Sequence, residues 1–195
     1  METYPWEEFY PEHCTTDFID EMIAEDVVLE LNEDISDWDF SDAMSELAVY
    51  KYQKWLLEQL VDAGLILHAS YIKEIYDQEG ECDLLYEMIS LYKGSFSEVF
   101  IKDVIDAWDG GLLDLIFPRY DGSVSVQDLI EIVNSGVSDS TLELAFKKCD
   151  NKEKATAEQI IDLLDNCDRH FYPYIQKMMK GLSFRDRVRI RDEYF

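Results

Sequence analysis

The sequence predicts a mainly α fold, a compact multi-helix domain with room for a few short strands, and an α+β arrangement is the alternative. Three observations lead there. Apolar residues recur at i, i+3 and i+4 through most of residues 41–181. The breaks between those stretches fall at Gly80, Gly94, Gly110 with Gly111, Gly122 and Gly136, where glycine ends helices or opens turns. Strict apolar/polar alternation, the mark of a half-buried strand, is confined to short segments.

Residues 1–14, METYPWEEFYPEHC, mix Pro5 and Pro11 with aromatics, so no regular element is expected there. The aromatics are expected to pin this segment to the body. From Thr16 the pattern turns helical. Phe18, Ile19, Met22 and Ile23 share one face while Asp17, Asp20, Glu21 and Glu25 fall opposite. Over 27–31 the phase is lost, because Val27, Leu29 and Leu31 alternate with Val28 and Glu30, which suits a short strand as well as a continued helix.

Ser41 is placed to cap a long helix through Ala63, with Gly64 at its C-cap position. Met44, Leu47, Ala48, Tyr52, Trp55, Leu56, Leu60 and Ala63 would form its buried stripe. Further helices are predicted at about 69–78, 83–92, 97–108, 125–134, 139–149, 156–166 and 171–181. Ser95 followed by Glu98 has capping-box spacing for the helix at 97–108. The tail SFRDRVRIRDEYF alternates Arg185, Arg187, Arg189 and Arg191 with Phe184, Asp186, Val188 and Ile190. An extended chain would put the four guanidinium groups on one side; a helix would spread them around its cylinder. Either way the segment can pack on the protein's own acidic surface or serve as a partner-binding arm. The expected organisation is an acidic, aromatic-rich segment over 1–40 on a helical body over 41–195, one domain overall.

Charge is the strongest compositional signal. The chain of 195 residues carries 43 Asp and Glu against 17 Lys and Arg, a formal charge of −26. Residues 1–50 hold sixteen of those acids and no Lys or Arg. At 47% hydrophobic residues the chain is too apolar for a disordered acidic tail, so the charge sits on a folded body. A field of this sign repels nucleic acid and anionic membranes and steers the protein toward basic surfaces. Direct binding of DNA or RNA, or of a membrane, is not expected.

No charged segment followed by an apolar run opens the sequence, and no apolar stretch has membrane-spanning length. Cys14, Cys82, Cys149 and Cys167 are widely scattered, as reduced thiols are. A cytoplasmic location is expected.

Chemistry-bearing motifs are sparse. Nucleophile elbows, phosphate-binding glycine loops and H-E-x-x-H are all missing, so an enzyme is not expected. Cys167 and His170 form one Cys-x-x-His, and His13 adjoins Cys14, short of the two close pairs that structural zinc needs. His68, after the apolar run LIL, reads as a packing or capping residue. No metal or other cofactor is expected.

FPRYDGSVSVQDL and CDNKEKATAEQI each stand between helical segments, and their layout resembles the EF-hand family. In the first, Asp121, Gly122, Val124 and Asp128 match loop positions five, six, eight and twelve. Its first and third positions, which the family fills with carboxylates, are Phe117 and Arg119, and the second loop is short, with Ala155 where the glycine would sit. The resemblance implies a calcium-responsive adaptor at most. LNEDISDWDFSDAM resembles one unit of the short tandem repeats of some bacterial surface proteins, but occurs once, and a solenoid needs neighbouring copies.

The informative stretch is DFIDEMIAEDVVLELNEDISDWDFSD, residues 17–42, with eleven carboxylates and no base. On a helix, carboxylates at i, i+3 and i+4 stand about 5–6 Å apart. A DNA strand offers one phosphate per about 3.4 Å of axis, so carboxylates on flexible arms can approximate part of that row. Asp17, Asp20, Glu21, Glu25, Asp26, Glu30, Glu33, Asp34, Asp37, Asp39 and Asp42, with Trp38 as an aromatic anchor, are the predicted partner-binding residues. Tyr4, Trp6, Phe9, Tyr10 and Phe40 add further interface aromatics. In general character this resembles phage anti-restriction and anti-CRISPR nucleic-acid mimics. It implies an inhibitor that covers the basic surface of a nuclease or nucleic-acid-binding complex. An immunity protein neutralising a basic nuclease toxin is the alternative, and neither excludes a homo-oligomer.

Overall fold

The computed structural model describes residues 2–8, 15–31, 34–35, 50–80, 82–149 and 154–195. Among these residues the fold is mainly α, with eleven α-helices and two three-residue strands. The chain divides into two compact units, Met1–Gly94 and Ser95–Phe195.

In the first unit, β1 (Thr3–Pro5) pairs in parallel with β2 (Val28–Glu30), Thr3 opposite Val28 and Pro5 opposite Glu30. The regular structure at the start corrects the expectation of none over 1–14. Pro5 lacks an N–H, but it closes a strand at a sheet edge, where that loss is tolerated. A 3-10 turn follows at Trp6–Glu8. β2 also settles the ambiguous 27–31 as strand.

Helix α1 (Thr16–Ala24) starts where Thr15, in extended conformation, accepts a hydrogen bond from the Phe18 N–H at 3.3 Å. It buries Ile19 and Met22 and half-buries Phe18 and Ile23. Helix α2 is described over Tyr50–Asp62, and Ser41, Met44, Leu47 and Ala48 lie outside the described residues. Its inward stripe is Tyr52, Trp55, Leu56, Leu57 and Leu60. Leu56, Leu57 and Leu60 have no exposed surface, and burial of each stabilises the unit by about 1.5–3 kcal/mol. Ala63, expected in that stripe, is exposed, because the helix ends at Asp62 and the chain turns away at Gly64. Gly64 has φ +116° and lies one residue beyond the C-cap. Tyr52 Oη donates to the Thr16 carbonyl at 3.2 Å, and the Leu29 N–H donates to Gln59 Oε1 at 3.1 Å, so α1 and β2 are both tied to α2. Helices α3 (Ala69–Glu79) and α4 (Asp83–Leu91) complete the unit, with α4 packed on both α2 and α3.

The second unit contains α5 (Glu98–Asp106), α6 (Gly110–Ile116), α7 (Val126–Asn134), α8 (Asp139–Lys148), α9 (Ala157–Asn166), α10 (Tyr172–Met178) and α11 (Phe184–Tyr194). Side chains of Ser97, Asp109, Ser125, Ser138, Thr156 and Ser183 cap all but α10. The predicted Ser95 cap is corrected to Ser97, which is extended and accepts from the Phe100 N–H at 3.3 Å. Reciprocal capping boxes form instead at Ser125 with Asp128 and at Thr156 with Gln159.

Two helices were not expected. Gly110 and Gly111 read as a break, yet Asp109 accepts from the Leu112 N–H at 2.9 Å and starts α6. The arginine-rich tail is helical, capped by Ser183, with Ile190 buried, and the helix splits the arginines into two pairs, Arg185 with Arg189 and Arg187 with Arg191, on different faces. The helix predicted over 171–181 is α10 followed by a 3-10 turn at Met179–Gly181. The core gathers Phe100, Ile101, Leu112, Leu113, Ile116, Phe117, Leu129, Ile132, Ile160, Leu163 and Ile175. No helix among the described residues is long and apolar enough to cross a membrane.

Candidate protein-binding face

α1 holds the acidic face in place from beneath. With Ile19 and Met22 buried, the 100° step between helical residues turns Asp17, Asp20, Glu21 and Glu25 outward, and all four are exposed. Asp26, Glu30 and Asp34 are exposed as well. Glu33, Asp37, Trp38, Asp39 and Asp42 lie outside the described residues, as do Phe9, Tyr10 and Phe40. Tyr4 packs edge-on against Phe18 with ring centroids 5.5 Å apart, so it braces α1. Trp6 is half-buried.

Asp17, Glu21 and Glu25 stand at i, i+4 and i+8, one like-charged row along the helix. Each neighbouring pair in such a row destabilises an isolated helix by about 0.2–0.5 kcal/mol. Glu21 and Glu25 also sit toward the C-terminal end, where the helix dipole is negative and where no basic residue occupies the last turn. Asp20 is different, because the Lys51 ammonium of α2 donates to its carboxylate, both side chains being about half exposed (52% and 48%). That hydrogen bond is the main cause holding the Lys51 ammonium above its ordinary value. Among the described residues, no ion pair neutralises Asp17, Glu21 or Glu25. Lys51 was missed by the sequence reading; it is the first base in the chain, one residue past the acidic quarter.

Asp26 has φ +55° and occupies the left-handed position after α1. Its N–H donates to the Ile23 carbonyl, and the Val27 N–H donates to the Met22 carbonyl at 3.0 Å. This pairing is a Schellman closure, and it hands the chain directly to β2. Glu30 and Asp34 therefore extend the same unit's acidic surface beyond the helix.

The other motifs are absorbed by the fold. Cys167 is buried, whereas His170 is exposed, lies 3.5 Å from Asp139 and packs on Phe171. Burial first, and the Asp168 charge second, push the Cys167 thiol up to about 12, the opposite of a thiolate ligand. Among the described residues no group of three His, Cys, Asp or Glu side chains could hold a metal ion. His68 stands at the N-cap of α3 without a side-chain cap bond and packs edge-on against Tyr71.

In the loop that resembles an EF-hand, Phe117 is fully buried and the Arg119 guanidinium lies 4.9 Å from the centre of the Phe96 ring. The Asp128 carboxylate accepts from Ser125 Oγ at 2.7 Å and from the Ser125 N–H at 3.3 Å. The two loops do meet: among the described residues one bridge joins Val124 and Cys149, in which the Val124 N–H donates to the Lys148 carbonyl at 3.0 Å. The Lys148 ammonium donates to the Tyr120 carbonyl, putting a cation into the first loop.

No protein family, no curated protein and no solved structure matches this chain.

Proposed function

We propose that the acidic face on α1, β2 and the residues after it binds the basic, nucleic-acid-binding surface of a nuclease or related complex and excludes its nucleic acid. The observation that carries this reading is the row Asp17, Glu21 and Glu25. Its charges repel one another and two of them oppose the helix dipole, so they weaken the helix that bears them. Solubility would be served equally by acids interspersed with bases. A groove lined by Lys and Arg binds phosphate largely without reading bases, so a row of carboxylates is a sufficient imitation. An immunity protein directed at a basic nuclease toxin would use the same face, and the identity of the captured enzyme separates the two cases. The calcium-responsive alternative draws no support from Phe117, Arg119 and Asp128, each of which is engaged by the fold.

The test is capture of a basic nucleic-acid enzyme from the natural host by the full chain, followed by competition with nucleic acid across a salt series. Capture should be competitive and should weaken steeply as salt rises. The triple change Asp17→Lys, Glu21→Lys and Glu25→Lys should abolish capture while leaving the helical circular-dichroism signal intact. Asp106, Asp121 and Glu158 changed to Lys form the matched control, all exposed and all in the second unit. Asp139 and Glu143 are unsuitable, since Asp139 engages His170 and Glu143 engages Lys147 and Tyr174. An acidic partner, or one that binds nucleic acid and this chain together, would overturn the proposal.

A further inference from the structure

The second unit contains a feature of opposite sign. Residues 177–191 hold Lys177, Lys180, Arg185, Arg187, Arg189 and Arg191, six of the chain's 17 bases. Four of them line a groove of about 610 Å³ formed by α10, the 3-10 turn after it and α11. Lys177 and Lys180 come from the α10 side; Arg187 and Arg191 come from one stripe of α11 at i and i+4, with Phe195, the C-cap of that helix, following at i+8; and Met179 adds apolar surface.

Among the described residues none of these four cations has a carboxylate partner within ion-pair distance. The Lys177 ammonium lies over the face of the Tyr174 ring, 5.2 Å from its centre. Arg187 Nε is buried and has no hydrogen-bond partner, the one such side-chain atom among the described residues. A buried donor on a charged group is the kind that folded proteins almost always satisfy. In a chain with 43 acids, carboxylates to satisfy it are plentiful. Those on the same helix are turned elsewhere: Asp186 accepts from Ser183 Oγ at 2.6 Å, and Asp192 and Glu193 lie off the Arg187, Arg191, Phe195 stripe.

We propose that this groove binds a small phosphorylated ligand with an aromatic or apolar body, of the nucleoside-phosphate class. Four positive charges exceed what a single carboxylate needs and suit a phosphate carrying two or more negative charges. Each arginine can present its two Nη groups as a planar fork that matches two phosphate oxygens, while the two lysines add point charges. Phe195 and Met179 give the uncharged part of the ligand a surface to lie on. The volume falls in the range typical of small-molecule sites, about 300–1,000 Å³. A nucleic-acid polymer is disfavoured by the −26 charge of the whole chain, whereas a small anion meets mainly the local cations once within about 8 Å at physiological salt.

The experiment is isothermal calorimetry on the full chain with AMP, ATP, inorganic phosphate and a short polyglutamate peptide. The nucleotides should bind at least about tenfold more tightly than inorganic phosphate, the added affinity coming from the apolar wall. Arg187→Gln with Arg191→Gln should weaken nucleotide binding by about tenfold or more. Arg185→Gln with Arg189→Gln, which changes net charge equally on other faces of α11, should leave it unchanged. Phe195→Ala should lower affinity for AMP and spare inorganic phosphate. Should the Arg187, Arg191 pair fail to fold by circular dichroism, Lys177→Gln with Lys180→Gln carries the same expectation. Absence of nucleotide binding at millimolar concentration, equal losses in the two arginine pairs, or tighter binding of polyglutamate than of nucleotide would each overturn the proposal.

Discussion

Tyr194 Oη donates a hydrogen bond to Asp165 Oδ1 at 2.7 Å, tying the last turn of α11 to the C-terminal end of α9. The link matters because α11 buries little else than Ile190. Asp165 is also the first cause that pushes the Tyr194 phenol from 10.0 to about 12.

A raised phenol means the neutral form is favoured by folding. The stabilisation is therefore fully present below the ordinary tyrosine value and disappears as pH rises through about 12. The melting-temperature gap between the natural chain and Tyr194→Phe should be constant up to about pH 10, then close. Thermal melts followed by circular dichroism across that window check it. A gap that widens above pH 10 would contradict the assignment.

Trp108 makes a different demand on the backbone. With φ +58° it sits one residue past the C-cap of α5, its N–H donating to the Ile105 carbonyl at 3.0 Å and the next N–H, from Asp109, to the Val104 carbonyl at 3.3 Å. This Schellman closure is the one that ends α2, where glycine, Gly64, fills the left-handed position. Trp108 is 57% exposed and lies outside the buried core. Trp108→Gly should raise stability by about 1 kcal/mol in urea unfolding, and Gly64→Ala should lower it by about the same amount.

The contrast between these sites shows what the sequence carried openly. Helix starts were legible because Ser, Thr and Asp caps act within three residues of themselves, as at Ser125 with Asp128. β1 was not legible, since Thr3 finds its partner Val28 across an intervening helix and no local pattern announces a parallel pairing. In the tail, the period-two arginine pattern competes with a cap signal, Ser183 with Asp186, and the cap decides the conformation. The acidic row was visible because it lies on one helix. The cationic groove was not, because Lys177 and Arg187 meet only after the chain reverses between α10 and α11.

Gly110 and Gly111 look equivalent in sequence and are not. A Cβ at Gly110 would overlap the Ser135 carbonyl oxygen, a backbone atom that cannot step aside, whereas at Gly111 the nearest atom is Asp109 Oδ1 at 3.8 Å. Gly110→Ala should destabilise the chain by about 1–3 kcal/mol through forced backbone displacement. Gly111→Ala should stabilise it by about 0.5–1 kcal/mol through helix propensity. Urea midpoints of the two variants should move in opposite directions.

Thiol reactivity gives the last prediction, and it bears on the Cys167, His170 pair. Alkylation needs the thiolate, and burial with the Asp168 charge holds the Cys167 thiol at about 12. Cys149 is also buried, while Cys82 is half exposed at the start of α4. In a Cys14→Ser background, iodoacetamide at pH 8 should modify Cys82 first and reach Cys149 and Cys167 only at the rate of unfolding, as peptide mass mapping with and without urea would show. The sign of the linkage follows from the same shift. A thiol raised on folding contributes stability that is fully present below the unfolded value, near about 8.5, and is lost as pH rises toward about 12. Cys167→Ala should therefore flatten part of the alkaline decline in stability. If zinc were held by Cys167 and His170, added zinc would lower the thiol and protect it from alkylation in the folded chain. The expected result is no zinc-dependent change, because His170 Nε2 faces Asp139 at 3.5 Å and no group of three His, Cys, Asp or Glu side chains among the described residues could hold a metal ion. Rapid modification of Cys167 in the native protein, or zinc protection of it, would show that this end of α9 opens in a way its burial does not permit.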